Sequence, residues 1–307
     1  MDYEVSSGQT SNGISLAGDN MYVFNGGTAN STTVNEGGSM YLEGGGTANS
    51  TTVNEGGSMS VAGVANKTVL NGSGYWGLGE MNVHDGGVAN STTINSGGSM
   101  HIDKGGTADT TIVNDCGSMH VFNGGVANST TVSSGGSVYV DEGAAVAEIT
   151  VNDGGVLDIQ KGGAAVSIRE EGGYVNVAEG ANAFFESNSF KDLQLQNGSA
   201  SLHSGTTATA TAVEDFGRLY VYAGGTANST SVNSDGSAYV DKGGTMNAAI
   251  VNEGGDLHVS GTVNETTVNG ADELNCGELY IHGGGTASAT AVNGFGWMRI
   301  DENGAAN

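Results

Sequence analysis

GGTANSTTVNEGGSMYLE, Gly26–Glu43, is the stretch on which the fold turns, because it comes back. From Gly45 it reads GGTANSTTVNEGGSMSV, and related units open at Gly86, Gly105, Gly124, Gly224 and Gly243, most often 19 residues after the one before. After the second glycine pair each unit runs apolar-x-apolar, as in Met40/Leu42, and this signature occurs fifteen times between Met21/Val23 and Met298/Ile300. Alternation with period two puts both apolar residues on one face of a strand and the middle residue on the other. A second apolar column, Val34, Val53, Ile94, Val113, Val132, Val232 and Val251 among others, follows a Thr-rich run and reads as a second short strand. Two short strands and glycine corners cannot bury a core alone, so each unit must stack on its neighbours. The expectation is an all-β chain folded as a right-handed parallel β-helix, a β-solenoid of about fifteen coils of 19 residues.

Composition agrees and excludes several function classes. The 307 residues include 55 glycines and no proline, as expected where nearly every strand amide has a ladder partner. With 33 acidic against 8 basic residues, a net charge of -25, the chain lacks the cations that hold nucleic acid or an anionic membrane surface. It has no apolar run long enough for a membrane helix, so direct membrane insertion is not expected, and MDYEVSSG at the start is no signal peptide.

A longer period overlies the short one. Shifted by 198 residues, 20–109 matches 218–307 without a gap, with 43 of 90 positions identical. The match carries an irregular insert, 63–80, onto a second, 261–278. A third, 178–198, separates the blocks and reads as a coil with a protruding loop within a single solenoid segment spanning 1–307. The pattern stops in mid-unit at Asn307, with Phe295, Trp297 and Met298 crowding the final coil, so a piece of a longer array is expected.

VSSGQTSNGISL at Val5–Leu16, followed by GGTANSTTVNEGGSM units, resembles the passenger repeats of the AIDA-type (adhesin involved in diffuse adherence) self-associating autotransporters of Gram-negative bacteria. The resemblance implies a parallel β-helix displayed outside the cell, acting in adhesion, aggregation or biofilm formation. It also implies heptose on repeat serines and threonines, for which Ser31, Ser50, Ser91, Ser129 and Ser229 are the acceptor candidates. The partners it implies are a second copy of the chain on another cell, or a host or matrix glycan or protein.

Function has to sit on outward positions. The residue between the apolar pair gives a column containing Tyr22, Tyr41, His101, His120, Tyr139, Tyr220, Tyr239, His258 and Tyr280, with Ser60, Asn82, Asp158, Asn176, Ser201 and Arg299 at the remaining coils. Rings with a polar tip suit sugar or protein surfaces. Tyrosine is also a good strand residue whose stacking stabilises a ladder without any ligand, so both readings stand. Two asparagine columns, through Asn30 and Asn35, read as amide ladders along the axis. The first creates Asn-x-Ser/Thr sequons.

The alternative is a polysaccharide-binding or polysaccharide-degrading enzyme on the same scaffold. Such a site needs converging carboxylates or a base in one unusual coil, whereas Glu36, Glu55, Asp115, Asp153 and Glu253 recur only as a consequence of repetition. The least implausible place is Glu186, Lys191 and Asp192 in the 178–198 insert. No catalytic residue, metal site or cofactor is therefore expected; His101 and His120 share a column, but two ligands make a weak site, and the acidic corners would attract hard cations without specificity. Cys116 and Cys276 fall eight coils apart, about 38 Å, which predicts two free thiols.

Overall fold

The computed structural model describes residues 1–73 and 77–307. Gly74, Tyr75 and Trp76, part of the insert expected at 63–80, lie outside the described residues. Among those described there is no helix, and the strands stack as a parallel β-solenoid of about 16 turns about 19 residues apart. The chain forms two compact units, Met1–Ile168 with Val175–Phe184, and Arg169–Tyr174 with Phe185–Asn307. Block 20–109 belongs to the first and block 218–307 to the second.

Each regular coil carries three strand segments rather than the two expected. In the founding unit these are Thr28–Asn30, Thr33–Val34 and Ser39–Leu42. The missed one is Thr-Ala-Asn, whose inward residue, Ala29, is fully buried but too small to register as an apolar signal. Ser31, with φ of 53°, bends the chain between the first two segments. Farther along the first unit they merge into seven-residue strands, Val88–Ile94, Thr107–Val113 and Val126–Val132, which keep the left-handed residue in their middle.

Register is exact in kind from coil to coil: Met21 pairs with Met40, Tyr22 with Tyr41 and Val23 with Leu42, and later coils repeat this. Inward columns follow. In the first unit Met21, Met40, Met59, Met81, Met100 and Met119 form a fully buried methionine stack, each side chain contributing about 1.5–3 kcal/mol by leaving water. Alanines such as Ala48 and Ala89 fill the narrow side of the core. The third wall alternates an apolar residue such as Val53 with a threonine: Thr32, Thr51, Thr68, Thr92, Thr111 and Thr130 are buried with no hydrogen-bond partner for Oγ1.

The second unit has three sheets, running from Asn188–Lys191, Gln194–Gln196 and Ser199–Leu202 and parallel except for one hairpin in the second. The protruding loop expected at 178–198 is therefore corrected: Asn182–Phe185 pairs with Ala164–Glu171, and Asn188–Lys191 and Gln194–Gln196 are ladder strands as well. Phe190 pairs with Ala208 and Leu195 with Val213. A Phe in the alanine column hid the repeat. In the 261–278 insert, Thr267–Asp272 and Asn275–Cys276 form an antiparallel hairpin, in which Asp272 Oδ1 accepts the Leu274 and Asn275 amides at 2.9 and 3.0 Å. Leu274 at its tip is 93% exposed.

Candidate functional site

The predicted outward column exists, but in pieces. In the first unit Tyr22 stacks on Tyr41, centroids 5.0 Å apart and 11° from parallel, and His120 on Tyr139 at 4.4 Å and 20°. His101 meets His120 edge-on at 5.7 Å, and its nitrogens lie against Asn82 Oδ1 and Ser99 Oγ, at 3.0 and 3.3 Å, rather than converging with those of His120. Ser60, Asn82 and Asp158 interrupt the series. In the second unit four rings are continuous: Tyr220 on Tyr239 at 5.1 Å, Tyr239 on His258 at 5.1 Å and His258 on Tyr280 at 4.7 Å, all within 11° of parallel. Ser201, placed outward by the pattern, is instead fully buried.

A second ring column lies two residues farther along the same strands, on the same face, and escaped the sequence reading. It comprises Phe24, His84 and Phe122 in the first unit and His203, Tyr222 and His282 in the second. Phe24 stacks beside Tyr22, Phe122 beside His120 and Tyr222 beside Tyr220. The signal was there, since position i+2 shares a face with i, but these rings follow the last apolar residue and read as turn. Rings with a ring on either side, Tyr239 and His258, present only their edges, whereas Tyr41 and Tyr139 end their stacks beside Ser60 and Asp158. Tyr41 is the one predicted stripe residue classed with the exposed large hydrophobics, at 37%.

Burial tunes the stripe's titrating groups. Burial, reinforced by the neighbouring His101 and His282 respectively, holds His120 and His258 below the usual imidazole range. The Tyr280 hydroxyl donates to Glu278, which together with burial pushes it up to about 12.

The asparagine ladders form as expected. Asn49 Nδ2 donates to Asn30 Oδ1 and Asn66 Nδ2 to Asn49 Oδ1, both at 2.9 Å, and the second ladder repeats this through Asn35, Asn54 and Asn71. The sequon nitrogens of Asn30, Asn49, Asn66 and Asn90 are thus committed to the ladder. Beside them Ser31, Ser50, Ser91, Ser129 and Ser229 all occupy the left-handed corner, φ 52–58°, and all are exposed. Ser129 Oγ donates to Glu148 at 2.8 Å.

Three polar clusters were not predicted. Glu170, fully buried in the second unit, accepts Ser201 Oγ at 2.6 Å and the His203 amide and Nδ1 at 2.8 Å each, while Phe185 and Tyr222 sandwich the imidazole. His258 Nδ1 faces His282 Nε2 at 3.2 Å, and His282 Nδ1 lies 3.0 Å from Asp301. At the matching place in the first block Ser60 Oγ is 2.7 Å from His84 Nε2, whose Nδ1 is 3.1 Å from Asp85. That is the connectivity of a hydrolytic triad, yet the Ser60 strand is paired on both sides, which commits its amides to the ladder rather than to an oxyanion hole. Among the described residues no ion pair joins Glu186, Lys191 and Asp192.

Fold and columns together define a parallel β-solenoid of stacked repeats that presents near-identical side chains coil after coil. A family model described as "Adhesin of bacterial autotransporter system, probable stalk" matches residues 73–136. The crystal structure of the TibC-catalysed hyper-glycosylated TibA 55–350 fragment is similar at 32% identity, with 97% of this chain and 98% of that one covered and a TM-score of 0.54. The periplasmic alginate epimerase AlgG (12% identity, 96% and 83% covered, TM-score 0.28) and an alginate lyase from Paenibacillus sp. str. FPU-7 (12%, 97% and 99%, 0.18) are too dissimilar to carry an argument. No curated protein matches. The chain belongs to the AIDA-type autotransporter adhesins and is an adhesin passenger, of a family whose members are secreted to the cell surface.

Proposed function

We propose that this segment, on the outer surface of a Gram-negative bacterium, mediates aggregation by binding a second copy on another cell, with host or matrix glycan or protein as further partners, and that it does so without catalysis. The observation that carries this reading is the in-register repetition of outward columns, since weak contacts at one coil are multiplied by avidity along the stack. Tyr22, Tyr41, His101, His120, Tyr139, Tyr220, Tyr239, His258 and Tyr280 supply the contact stripe. Where both faces are stacked, as at Tyr239 and His258, the rings act through their edges and polar atoms, making short hydrogen bonds.

Ser31, Ser50, Ser91, Ser129 and Ser229 are the proposed glycan acceptors, because an exposed left-handed corner offers a hydroxyl to a transferase without opening the ladder. Hyper-glycosylation of the TibA fragment supports this. An N-glycan on Asn30 or Asn49 would instead remove a ladder donor.

Aggregation of bacteria displaying the chain should fall sharply when Tyr22, Tyr41, Tyr220 and Tyr239 are changed together to Ser, with display level and solenoid circular dichroism retained. Undiminished aggregation removes the stripe from the mechanism. Release of sugar from a polysaccharide panel, abolished by one carboxylate change, would overturn the non-catalytic reading.

A further inference from the structure

We propose that His258 and His282 form a chelating site for one divalent transition-metal ion of the copper, nickel or zinc class, with Asp301 as the outer carboxylate that orients His282. Three observations carry it. First, the chain has six histidines, and the two whose ring nitrogens face each other are these, Nδ1 of His258 and Nε2 of His282, hydrogen-bonded at 3.2 Å in parallel rings. With metal–nitrogen bonds of about 2.0–2.1 Å, two nitrogens so spaced subtend about 100° at an ion, between the square-planar and tetrahedral angles.

Second, His282 uses its other nitrogen as metal-binding histidines do. Nδ1 lies 3.0 Å from Asp301 Oδ2, which places the proton on Nδ1 and leaves Nε2 as an acceptor, here of the His258 Nδ1 hydrogen bond whose proton an incoming ion would displace. Asp301 is itself held, its Oδ1 lying 2.9 Å from Arg299 Nε. Third, carboxylates stand beside the pair: Asp256 and Glu278 pair across the ladder two residues before His258 and Tyr280, on the same face of their strands. Among the described residues no third His, Cys, Asp or Glu ligand joins them, so the protein supplies two ligands. The site is chelating but open, and soft-to-borderline ions that favour imidazole are preferred over calcium or magnesium.

The duplication supplies a control. At the equivalent coils of the first block Ser60 stands where His258 stands, and it bonds His84 Nε2 at 2.7 Å. The diagonal contact is thus a feature of both blocks, but only the second supplies two imidazoles.

The test is a calorimetric titration of the purified chain, without a histidine tag, with CuCl2, NiCl2 and ZnCl2, and electron paramagnetic resonance on the copper form. The expected result is one saturable Cu²⁺ per chain with nitrogen hyperfine coupling. Affinity should drop at least tenfold in H258S, which copies the first block, and in H282S, and about tenfold in D301N; H84A should bind like the parent. Circular dichroism of each variant separates lost ligation from lost fold. Absence of saturable binding, parental affinity in H258S and H282S, or loss of binding in H84A overturns the site. None of these outcomes bears on whether the stripe drives aggregation, which the tyrosine variant tests separately.

Discussion

Thr130 shows how a repeat can carry a polar residue inside without a partner. Its Oγ1 is buried and unbonded, while the next coil places Ile149, fully buried, in the same register. The column therefore accepts an apolar β-branched side chain, and T130V should raise stability by about 1 kcal/mol, read as a higher urea midpoint at unchanged slope. The imidazoles give a pH prediction. His120 and His258 bind protons less readily folded than unfolded, mainly through burial, so the unfolded chain takes up more protons as pH falls past the ordinary imidazole range. Stability should decline from about pH 7 to about pH 5, and replacing both residues with Asn should flatten that decline. Asp153 and Asp256 act oppositely and lower: burial raises both, so their contribution is present in acid and is lost as pH rises through the carboxylate range. A profile flat between pH 7 and 5 in the parent would contradict the first assignment.

At the scale of the element, the paired glycines of each corner do different work. Gly86 has φ of +88° with nothing within 4 Å of a built Cβ, whereas a Cβ on Gly87 would sit 2.0 Å from the Val61 carbonyl oxygen of the previous coil. Gly86→Ala should cost about 1–2 kcal/mol, the left-handed penalty alone. Gly87→Ala must push two coils apart and should be clearly the worse of the two in thermal unfolding; equal losses would show that corners yield and that coil spacing is not set there. Corners, inward strand residues and asparagine ladders were all legible in the sequence, since each repeats at a fixed offset. The Thr-Ala-Asn strand and the 188–196 strands were not. The first buries only an alanine, and the second puts Phe190 where alanine belongs.

Over the whole molecule the charge of -25 sets the conditions for association. Two such chains repel at long range, and the ring edges and hydroxyls act only within contact distance. Aggregation should therefore strengthen as NaCl rises from about 10 mM to about 150 mM, because the screening length falls from about 30 to about 8 Å; weakening over that range would mean that opposite charges, not short contacts, hold the partners. Cys116 is exposed and Cys276 partly so, and both are free thiols, as their separation along the repeat had predicted.

The sequence by itself determined the solenoid, its parallel register, its inward columns and the outward stripe, because a 19-residue period forces equivalent residues into line and a period of two decides which way each points. It could not say which neighbours in the stripe touch. Whether two rings stack, meet edge-on or turn toward a residue two places along the next strand depends on side-chain torsions and on the length of the intervening coil, and no periodicity encodes these. His101 and His120 shared a column and do not converge, while His258 and His282, 24 residues apart across a lengthened coil, do. Glu170 likewise met Ser201 and His203 across more than thirty residues, and only the packed structure, where a buried carboxylate must find donors, brought them together.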